Sequence, residues 1–188
     1  MEIIIERPRV LCVLVGPSGA GKTTVANKLF ERFGLTTAVS YTDRAPRYEG
    51  EPGHVFVSPE TMAEYDAANK LVNQTIFDGH RYGYLADDLV SADIVIVDLP
   101  GAEAIRDTTG IFGKHVYVIG LTVSSNEAID RMCARGDSAE ALCNRLEHDA
   151  RAFRGMEYVC DVCIHNQNLD ETVQLVWQLL QAKENSLN

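Results

Sequence analysis

Basic residues are scarce in this chain of 188 residues, which carries 17 Lys and Arg against 27 Asp and Glu and has a formal net charge of −10. Nucleic acids and anionic membranes bind through basic faces, so this balance argues against either as a partner. The chain also lacks any apolar run near the roughly 20 residues that cross a bilayer, and its first residues lack the basic-then-apolar order of a signal peptide. We therefore expect a soluble, cytoplasmic protein.

Cysteine is sparse as well, with 5 residues scattered along the chain. An odd number without regular spacing favours reduced thiols over a disulfide framework. Cys160 and Cys163 form a C-x-x-C pair with His165 nearby, in the stretch 158–164 that is typical of a strand. Odd spacing in a strand would put the two thiols on opposite faces, so we expect buried thiols rather than a metal site.

A glycine-rich segment reads G-P-S-G-A-G-K-T, after an apolar run at 10–15 and before an amphipathic stretch. Its glycines permit the positive φ angles that turn successive backbone N–H groups inward around a phosphate. Lys22 would reach the β- and γ-phosphates, and the Thr23 hydroxyl would coordinate Mg²⁺. The strand, loop and helix order predicts a P-loop that binds a nucleoside triphosphate. The predicted contact residues are Gly16, Ser18, Gly19, Ala20, Gly21, Lys22, Thr23 and the adjoining Thr24.

Internal repeats and low-complexity linkers are absent, and 46% of the residues are hydrophobic, so one sizeable core can form. Strand-like runs alternate with amphipathic stretches, which is typical of a parallel sheet covered on both faces. We predict a three-layer α/β P-loop fold with a small α+β insertion. Strands are predicted at 10–15, 35–40, 55–57, 94–97, 115–121 and 158–164, and helices at 22–33, 58–68, 125–134, 137–153 and 169–182, with Asp137 and Glu140 as a capping box.

The segment Ser40-Tyr-Thr-Asp-Arg44-Ala-Pro-Arg47 resembles the S-x-T-T-R-x-P-R motif of the guanylate kinase family. Further segments match that family in order over most of the chain. Arg81-Tyr82-Gly83 resembles the family's Tyr-Tyr-Gly turn, and Asp98-Leu-Pro-Gly101 resembles its I-D-x-Q-G strand end. Arg131-x-x-x-Arg135-Gly136 resembles the family's lid. Asn144-Arg145-Leu146 and Asn166-Gln-Asn-Leu169-Asp170 resemble its R-R-L and V-N-D-D-L-D segments.

The resemblance implies a nucleoside monophosphate kinase that uses ATP with Mg²⁺. It implies a core at 9–39 and 92–188, an acceptor-binding insertion at about 40–91 and a lid at about 131–150. The oligomeric state stays open between monomer and homodimer.

Individual roles follow from the same resemblance, since phosphoryl transfer between two polyanions depends on positioning and on neutralising charge, for which arginine is suited. Ser40, Arg44, Arg47 and Tyr82 are assigned to the acceptor phosphate, with Arg131 as a further acceptor-side residue, although an ion pair with Glu127 is the alternative for Arg131. Lys22, Arg135 and Arg145 are assigned to catalysis, Asp98 to positioning Mg²⁺ or the acceptor, and Asn166 to the neighbourhood of the adenine.

Three departures from the family fall at the acceptor site. Asn73 stands where the family reads guanine with a glutamate, His54 replaces a tyrosine, and Tyr84 replaces a small hydroxyl residue. An amide has one acceptor and a pair of donors, which suits a base edge with a donor beside an acceptor. We interpret these changes as an acceptor base that is not ordinary guanine, on a ribo- or deoxynucleotide. The connection 84–94 also looks too short for the usual helix.

Two other functions stay open. Some guanylate-kinase-like domains bind phosphopeptides without catalysis, although Lys22 and Thr23 retain a complete triphosphate loop here. Ribose bisphosphate kinases also resemble guanylate kinases and act on a phosphorylated sugar. For that acceptor, Asn73 and Tyr84 would tolerate alanine.

Overall fold

The computed structural model describes residues 9–46, 48–51, 53–77, 79–107 and 113–187. Arg47, assigned above to the acceptor phosphate, lies outside these residues. The strands are β1 (Val10–Val15), β2 (Ser40–Thr42), β3 (His54–Phe56), β4 (Leu71–Phe77), β5 (His80–Leu85), β6 (Ile94–Ile96), β7 (His115–Thr122) and β8 (Val162–His165). The helices are α1 (Lys22–Phe33), α2 (Pro59–Ala67), α3 (Ala86–Ser91), α4 (Leu99–Asp107), α5 (Ser125–Ala134), α6 (Ala139–Ala152), α7 (Met156–Val159) and α8 (Leu169–Asn185).

Two four-stranded sheets occur within the described residues. The first has the order β6-β1-β7-β8 and is parallel throughout. The second has the order β3-β2-β5-β4, in which β5 runs antiparallel to both of its neighbours. All of its strands come from the stretch predicted as an insertion.

Strand β1 is buried at every residue and divides the core in two. Because side chains alternate along a strand, Cys12 and Leu14 pack in a cluster with residues of α1 and α8, while Leu11 and Val13 pack in a cluster with residues of α4. The sheet is therefore covered on both faces, which confirms the predicted three-layer α/β fold. In a parallel sheet the carboxyl ends of β1 and β6 share one edge, and the loops that follow them meet there.

Two predicted strands differ from the observed ones. In the stretch 35–40, Thr37 forms an isolated bridge to Ile94, and Ser40 already begins β2 of the other sheet. The chain crosses between the two sheets here, which leaves no room for a longer ladder on β6. Tyr158 lies in the short helix α7, which begins after Gly155 at a φ of 79°, and β8 begins only at Val162.

The C-x-x-C thiols do not lie on opposite faces of one strand, and they are not buried, since Cys160 is half-buried and Cys163 is exposed; both findings contradict the prediction. A Cβ built on Gly120 would lie 2.8 Å from Cys160 Sγ and 3.0 Å from Cys163 Sγ, so both thiols lie beside this glycine. Cys160 follows α7 instead of lying in β8, and strand alternation does not apply to it. In the described part of the chain, no three His, Cys, Asp or Glu side chains cluster as metal ligands.

Two further details correct the sequence analysis. The connection 84–94 holds the six-residue helix α3, so it is long enough for a short helix. Ser138, not Asp137, is the N-cap of α6, and its side chain accepts a hydrogen bond from the backbone N–H of Ala141. Of the helices described, none is long and apolar enough to span a membrane.

Candidate active site

The glycine-rich loop joins the buried end of β1 to the first turn of α1. Gly16, Gly19 and Gly21 adopt φ angles of 147°, 78° and 88°, as the motif predicts. All three positions also have no space for a side chain, and a Cβ on Gly19 would lie 2.9 Å from the Ala128 carbonyl oxygen. A Cβ on Gly16 would lie 2.2 Å from the Leu121 carbonyl oxygen, and one on Gly21 would lie 2.5 Å from Asn166 Nδ2. Glycine is therefore required here by packing as well as by backbone conformation.

Lys22 folds back over this loop. Its Nζ donates hydrogen bonds to the carbonyl oxygens of Gly16 and Pro17, the second at 3.1 Å. Burial lowers the pKa of Lys22 to about 8, and the nearby carboxylate of Asp149 opposes that shift. The ring of Phe153 lies 5.9 Å from Nζ, so helix α6 reaches over the loop.

A carboxylate of α6 contacts the loop directly. The backbone N–H of Ser18 donates to Asp149 Oδ2 at 2.6 Å, and the other oxygen lies 3.4 Å from Nδ1 of His148. Neither contact was expected from the sequence. No residue of helix α6 is fully buried. Six residues of this helix and its C-terminal cap line the cavity at helical spacing. Those residues are Ala141, Asn144, Arg145, His148, Asp149 and Phe153.

A cavity of about 800 Å³ lies between the loop, the second sheet and α6. It brings together most of the side chains that the sequence analysis assigned to the acceptor, along with Lys22 and Arg145. Its other walls are formed by Gly16, Ser18, Ser40, Arg44, His54, Asn73, Thr75, Tyr82, Gly83, Tyr84, Ile96, Val97 and Asp98.

The predicted phosphate-binding side chains are clustered at one end of the cavity. Arg44 Nε donates to the Tyr82 hydroxyl at 3.2 Å, and both terminal nitrogens of Arg44 donate to the Glu51 carboxylate at 3.2 and 2.9 Å. Ser40 Oγ lies 2.7 Å from His54 Nδ1. The cluster thus holds an arginine, two hydroxyl groups and an imidazole, which can donate hydrogen bonds to an anion. The Glu51 carboxylate occupies both terminal nitrogens of Arg44, so an acceptor phosphate would have to displace it.

The other predicted specificity residues line the wall between β4 and the start of α4. Asn73 lies at a bulge in β4 with a φ of 52°. Asn73 and Asp98 both lie against Gly101. A Cβ built on this glycine would lie 2.4 Å from Asn73 Nδ2 and 2.8 Å from Asp98 Oδ1. Asp98 Oδ1 accepts from the Gly101 backbone N–H at 2.9 Å, so this carboxylate also caps α4.

Tyr84 is built into the wall beside these residues. The residue is 9% exposed, and its hydroxyl donates to the Ile96 carbonyl oxygen at 2.7 Å. Burial raises the pKa of Tyr84 to about 12, so the phenol stays neutral. The side chain therefore takes up space that a small hydroxyl residue would leave open.

The two lid arginines share one carboxylate. Arg135 Nε lies 3.1 Å from Asp137 Oδ1, and Arg145 Nε lies 3.8 Å from Asp137 Oδ2. The Arg135 guanidinium holds the pKa of the Asp137 carboxyl below its usual value. Arg145 lines the cavity, whereas Arg135 is not among the lining residues.

Arg131 lies behind the glycine-rich loop and does not line the cavity, which corrects its assignment to the acceptor side. Its terminal nitrogens donate to the carbonyl oxygens of Gly19 and Asn166, at 3.1 and 2.7 Å. Asn166 in turn donates from Nδ2 to the Ala20 carbonyl oxygen at 2.8 Å. Arg131 and Asn166 therefore support the triphosphate loop from behind.

Comparison with known proteins agrees with this geometry. The family model described as "Guanylate kinase" matches residues 8–183 of the chain. The chain belongs to the guanylate kinase family.

Curated members of that family cover nearly the whole chain. The guanylate kinase of Thermosynechococcus vestitus is 32% identical over 184 residues, which are 92% of this chain and 94% of the relative. That of Chlorobaculum tepidum is 32% identical over 187 residues, 93% of each chain. The crystal structure of guanylate kinase from Anaplasma phagocytophilum shares the fold, with a TM-score of 0.65, 23% identity and coverage of 93% of this chain and 86% of that one.

As a member of the guanylate kinase family, the protein is a nucleoside monophosphate kinase that uses ATP with Mg²⁺. The loop fits a triphosphate, since its glycines hold the left-handed conformations of a phosphate cradle and α1 begins directly behind them. Asn166 Oδ1 is buried without a hydrogen-bond partner among the described residues, which fits a donor from a bound nucleotide. Thr23 is exposed at the first turn of α1, where a Mg²⁺ ligand is predicted.

Several residues of this site were not predicted from the sequence. Asp149 and Phe153 follow Arg145 at intervals of four, and that spacing within the predicted helix 137–153 would have placed them on the face of Arg145. Asp137 was mistaken for a helix cap. No local sequence pattern distinguishes Glu51, because its pairing with Arg44 depends on how the intervening loop folds.

Proposed function

We propose that this kinase transfers a phosphoryl group from ATP to a nucleoside 5′-monophosphate, ribo or deoxy, whose base is not ordinary guanine. The names of the relatives favour GMP. The main support for a base other than guanine is the amide of Asn73, which lies in the cavity wall where the family has a glutamate.

The chemistry of the amide supports a different base edge. A carboxylate accepts two hydrogen bonds from guanine, whereas an amide accepts with its oxygen and donates with its nitrogen. Guanine opposite Asn73 would lose one partner, at a cost of about 1–3 kcal/mol. Adenine, uracil, thymine and cytosine each present a donor beside an acceptor and would lose none.

The geometry of Tyr84 supports the same proposal. Its phenol is fixed by the hydrogen bond to the Ile96 carbonyl oxygen and cannot rotate away without breaking it. The cavity is consequently narrower on the base side than it would be with a small hydroxyl residue.

The remaining residues serve the transfer whatever the base is. The loop N–H groups and Lys22 hold the triphosphate, and Arg44, Ser40 and Tyr82 hold the acceptor phosphate, with Arg47 as a further predicted ligand. ATP with Mg²⁺ supplies the phosphoryl group and neutralises part of its charge. Arg135 and Arg145 stabilise the charge on the group in transit, and Asp98 positions the metal or the acceptor.

A panel of acceptors tests the proposal. ADP formation from Mg·ATP is measured with ribo- and deoxynucleoside monophosphates, modified bases included, and Lys22→Ala provides the blank. We expect kcat/KM for at least one non-guanine acceptor to exceed that for GMP. An ordinary kcat/KM with GMP alone would contradict the proposal, and turnover only with a phosphorylated sugar, or with no acceptor, would replace it by the alternatives considered above.

Asn73→Asp is the matched variant for this panel. Aspartate tolerates the left-handed backbone at this bulge nearly as well as asparagine, whereas glutamate would add backbone strain. The change converts the amide to a carboxylate of the same size. We expect the ratio of kcat/KM for GMP to that for the best other base to rise about tenfold, which corresponds to about 1.4 kcal/mol. An unchanged ratio would show that Asn73 does not read the base.

A further inference from the structure

The hydrogen bond between Asp149 and Ser18 joins helix α6 to the triphosphate loop. At 2.6 Å between the Ser18 nitrogen and Oδ2, it has the short length of a charge-assisted hydrogen bond. The N–H group that donates it belongs to the set that the motif turns toward a phosphate. A protein carboxylate therefore contacts a donor intended for the nucleotide.

Other contacts make this position favourable for a negative charge. The ammonium of Lys22 lies close enough for Asp149 to influence its titration, and Asp149 is largely buried, with 12% of its side chain exposed. A carboxylate and a phosphate oxygen make the same demands on such a site, namely N–H donors and a cation.

The Asp149 carboxylate lies on the same face of helix α6 as Arg145. Arg145, Asp149 and Phe153 are spaced by four residues, and all three line the cavity. Since no residue of the helix is fully buried, few apolar contacts oppose a shift of this segment.

We propose that Asp149 occupies the phosphate cradle when no nucleotide is bound and competes with ATP for it, so that this residue sets the affinity for ATP. The triphosphate must displace the Asp149 carboxylate from the Ser18 N–H group before it can bind. The proposal rests on ATP binding by the family and not on the identity of the acceptor base.

Binding of Mg²⁺ with a non-hydrolysable ATP analogue, measured by calorimetry without any acceptor, tests this role. Asp149→Asn removes the charge and keeps a weak acceptor, whereas Asp149→Ala removes both. We expect Kd to fall about threefold in the first variant and about tenfold in the second, because a larger fraction of the protein has a free cradle. Glu147→Gln, an exposed position on the same helix, removes one negative charge away from the loop and is expected to change Kd less than twofold.

Equal or weaker binding in both Asp149 variants, relative to Glu147→Gln, would overturn the proposal. A measurement on the unmodified protein guards against variants that do not fold. The scalar coupling across the hydrogen bond, between the Ser18 amide nitrogen and the Asp149 carboxyl carbon, should be detectable by NMR without ligand and disappear when the analogue binds. Its absence without ligand, or its persistence with the analogue, would also overturn the proposal.

Discussion

At Lys22, burial and a nearby carboxylate act on one ammonium group in opposite directions. Burial is the larger effect and lowers the pKa to about 8 from an ordinary 10.5, while Asp149 raises it. The folded protein thus binds fewer protons than the unfolded chain between these two values. This group's contribution to stability accordingly increases with pH across that interval.

The activity should change with pH in the opposite direction. The free enzyme needs the protonated form of Lys22 to attract the triphosphate, so kcat/KM for ATP should decline above about pH 8, tenfold per pH unit. In Asp149→Asn the decline should begin at a lower pH, because the carboxylate that favours the ammonium is lost. Steady-state kinetics from pH 6 to 10 check both statements. A flat profile up to pH 10 would contradict them.

Asn73 shows what sequence comparison can and cannot reveal about a single residue. Its spacing from Tyr82 predicts that it stands at the position of the family's base-reading glutamate. Nothing in the spacing indicated the bulge in β4 or the φ of 52°, since both depend on how β4 pairs with β5. The structure thus adds a backbone requirement to the interpretation and leaves the base preference as a proposal.

The turn between α5 and α6 connects the two lid arginines. Arg135 ends α5, Arg145 lies in α6, and Asp137 contacts both guanidinium groups. We infer that Asp137 is a positioning residue, which holds Arg145 at the cavity through a carboxylate that it shares with Arg135.

Removal of the Asp137 carboxylate tests its positioning role. Asp137→Asn should lower kcat about tenfold, a magnitude typical of catalytic groups that are displaced without being removed, and should leave KM for ATP within about twofold. Asp137→Glu should restore most of kcat because it keeps the charge. Asp130→Asn, which removes an exposed carboxylate from α5, serves as the control. A normal kcat in Asp137→Asn would refute the positioning role.

Element boundaries were predictable where apolar periodicity is long, as for both ends of α1, with its terminal Gly34, and of α5. For α8 the first residue was predicted correctly, whereas the helix runs to Asn185 instead of 182. Boundaries were not predictable where two interactions compete for the same residues. Asp137 and Ser138 both have side chains suited to a helix N-cap. Asp137 forms an ion pair with Arg135 instead, and Ser138 caps α6. At Tyr158, an apolar run is divided between a helical turn and a strand, and sequence alone does not show the division.

Across the whole molecule, the excess of negative charge does not extend to the cavity. The chain has a net charge of −10, whereas the cavity walls carry three basic side chains, Lys22, Arg44 and Arg145, and two acidic ones, Asp98 and Asp149. We expect two polyanionic substrates to meet in this cavity, and walls without the net negative charge of the chain lower the cost of bringing them together. The second sheet supplies the acceptor-side walls, and the parallel sheet supplies the triphosphate loop.

Direct competition among acceptors tests the central claim in one measurement. An equimolar mixture of GMP, dGMP, AMP, UMP, CMP and dTMP is incubated with limiting Mg·ATP, and the diphosphates formed at early times are quantified by mass spectrometry. Their ratios equal the ratios of kcat/KM. We expect a non-guanine diphosphate to dominate by about tenfold or more, the equivalent of one lost hydrogen-bond partner for guanine. Dominance of GDP or dGDP would contradict it.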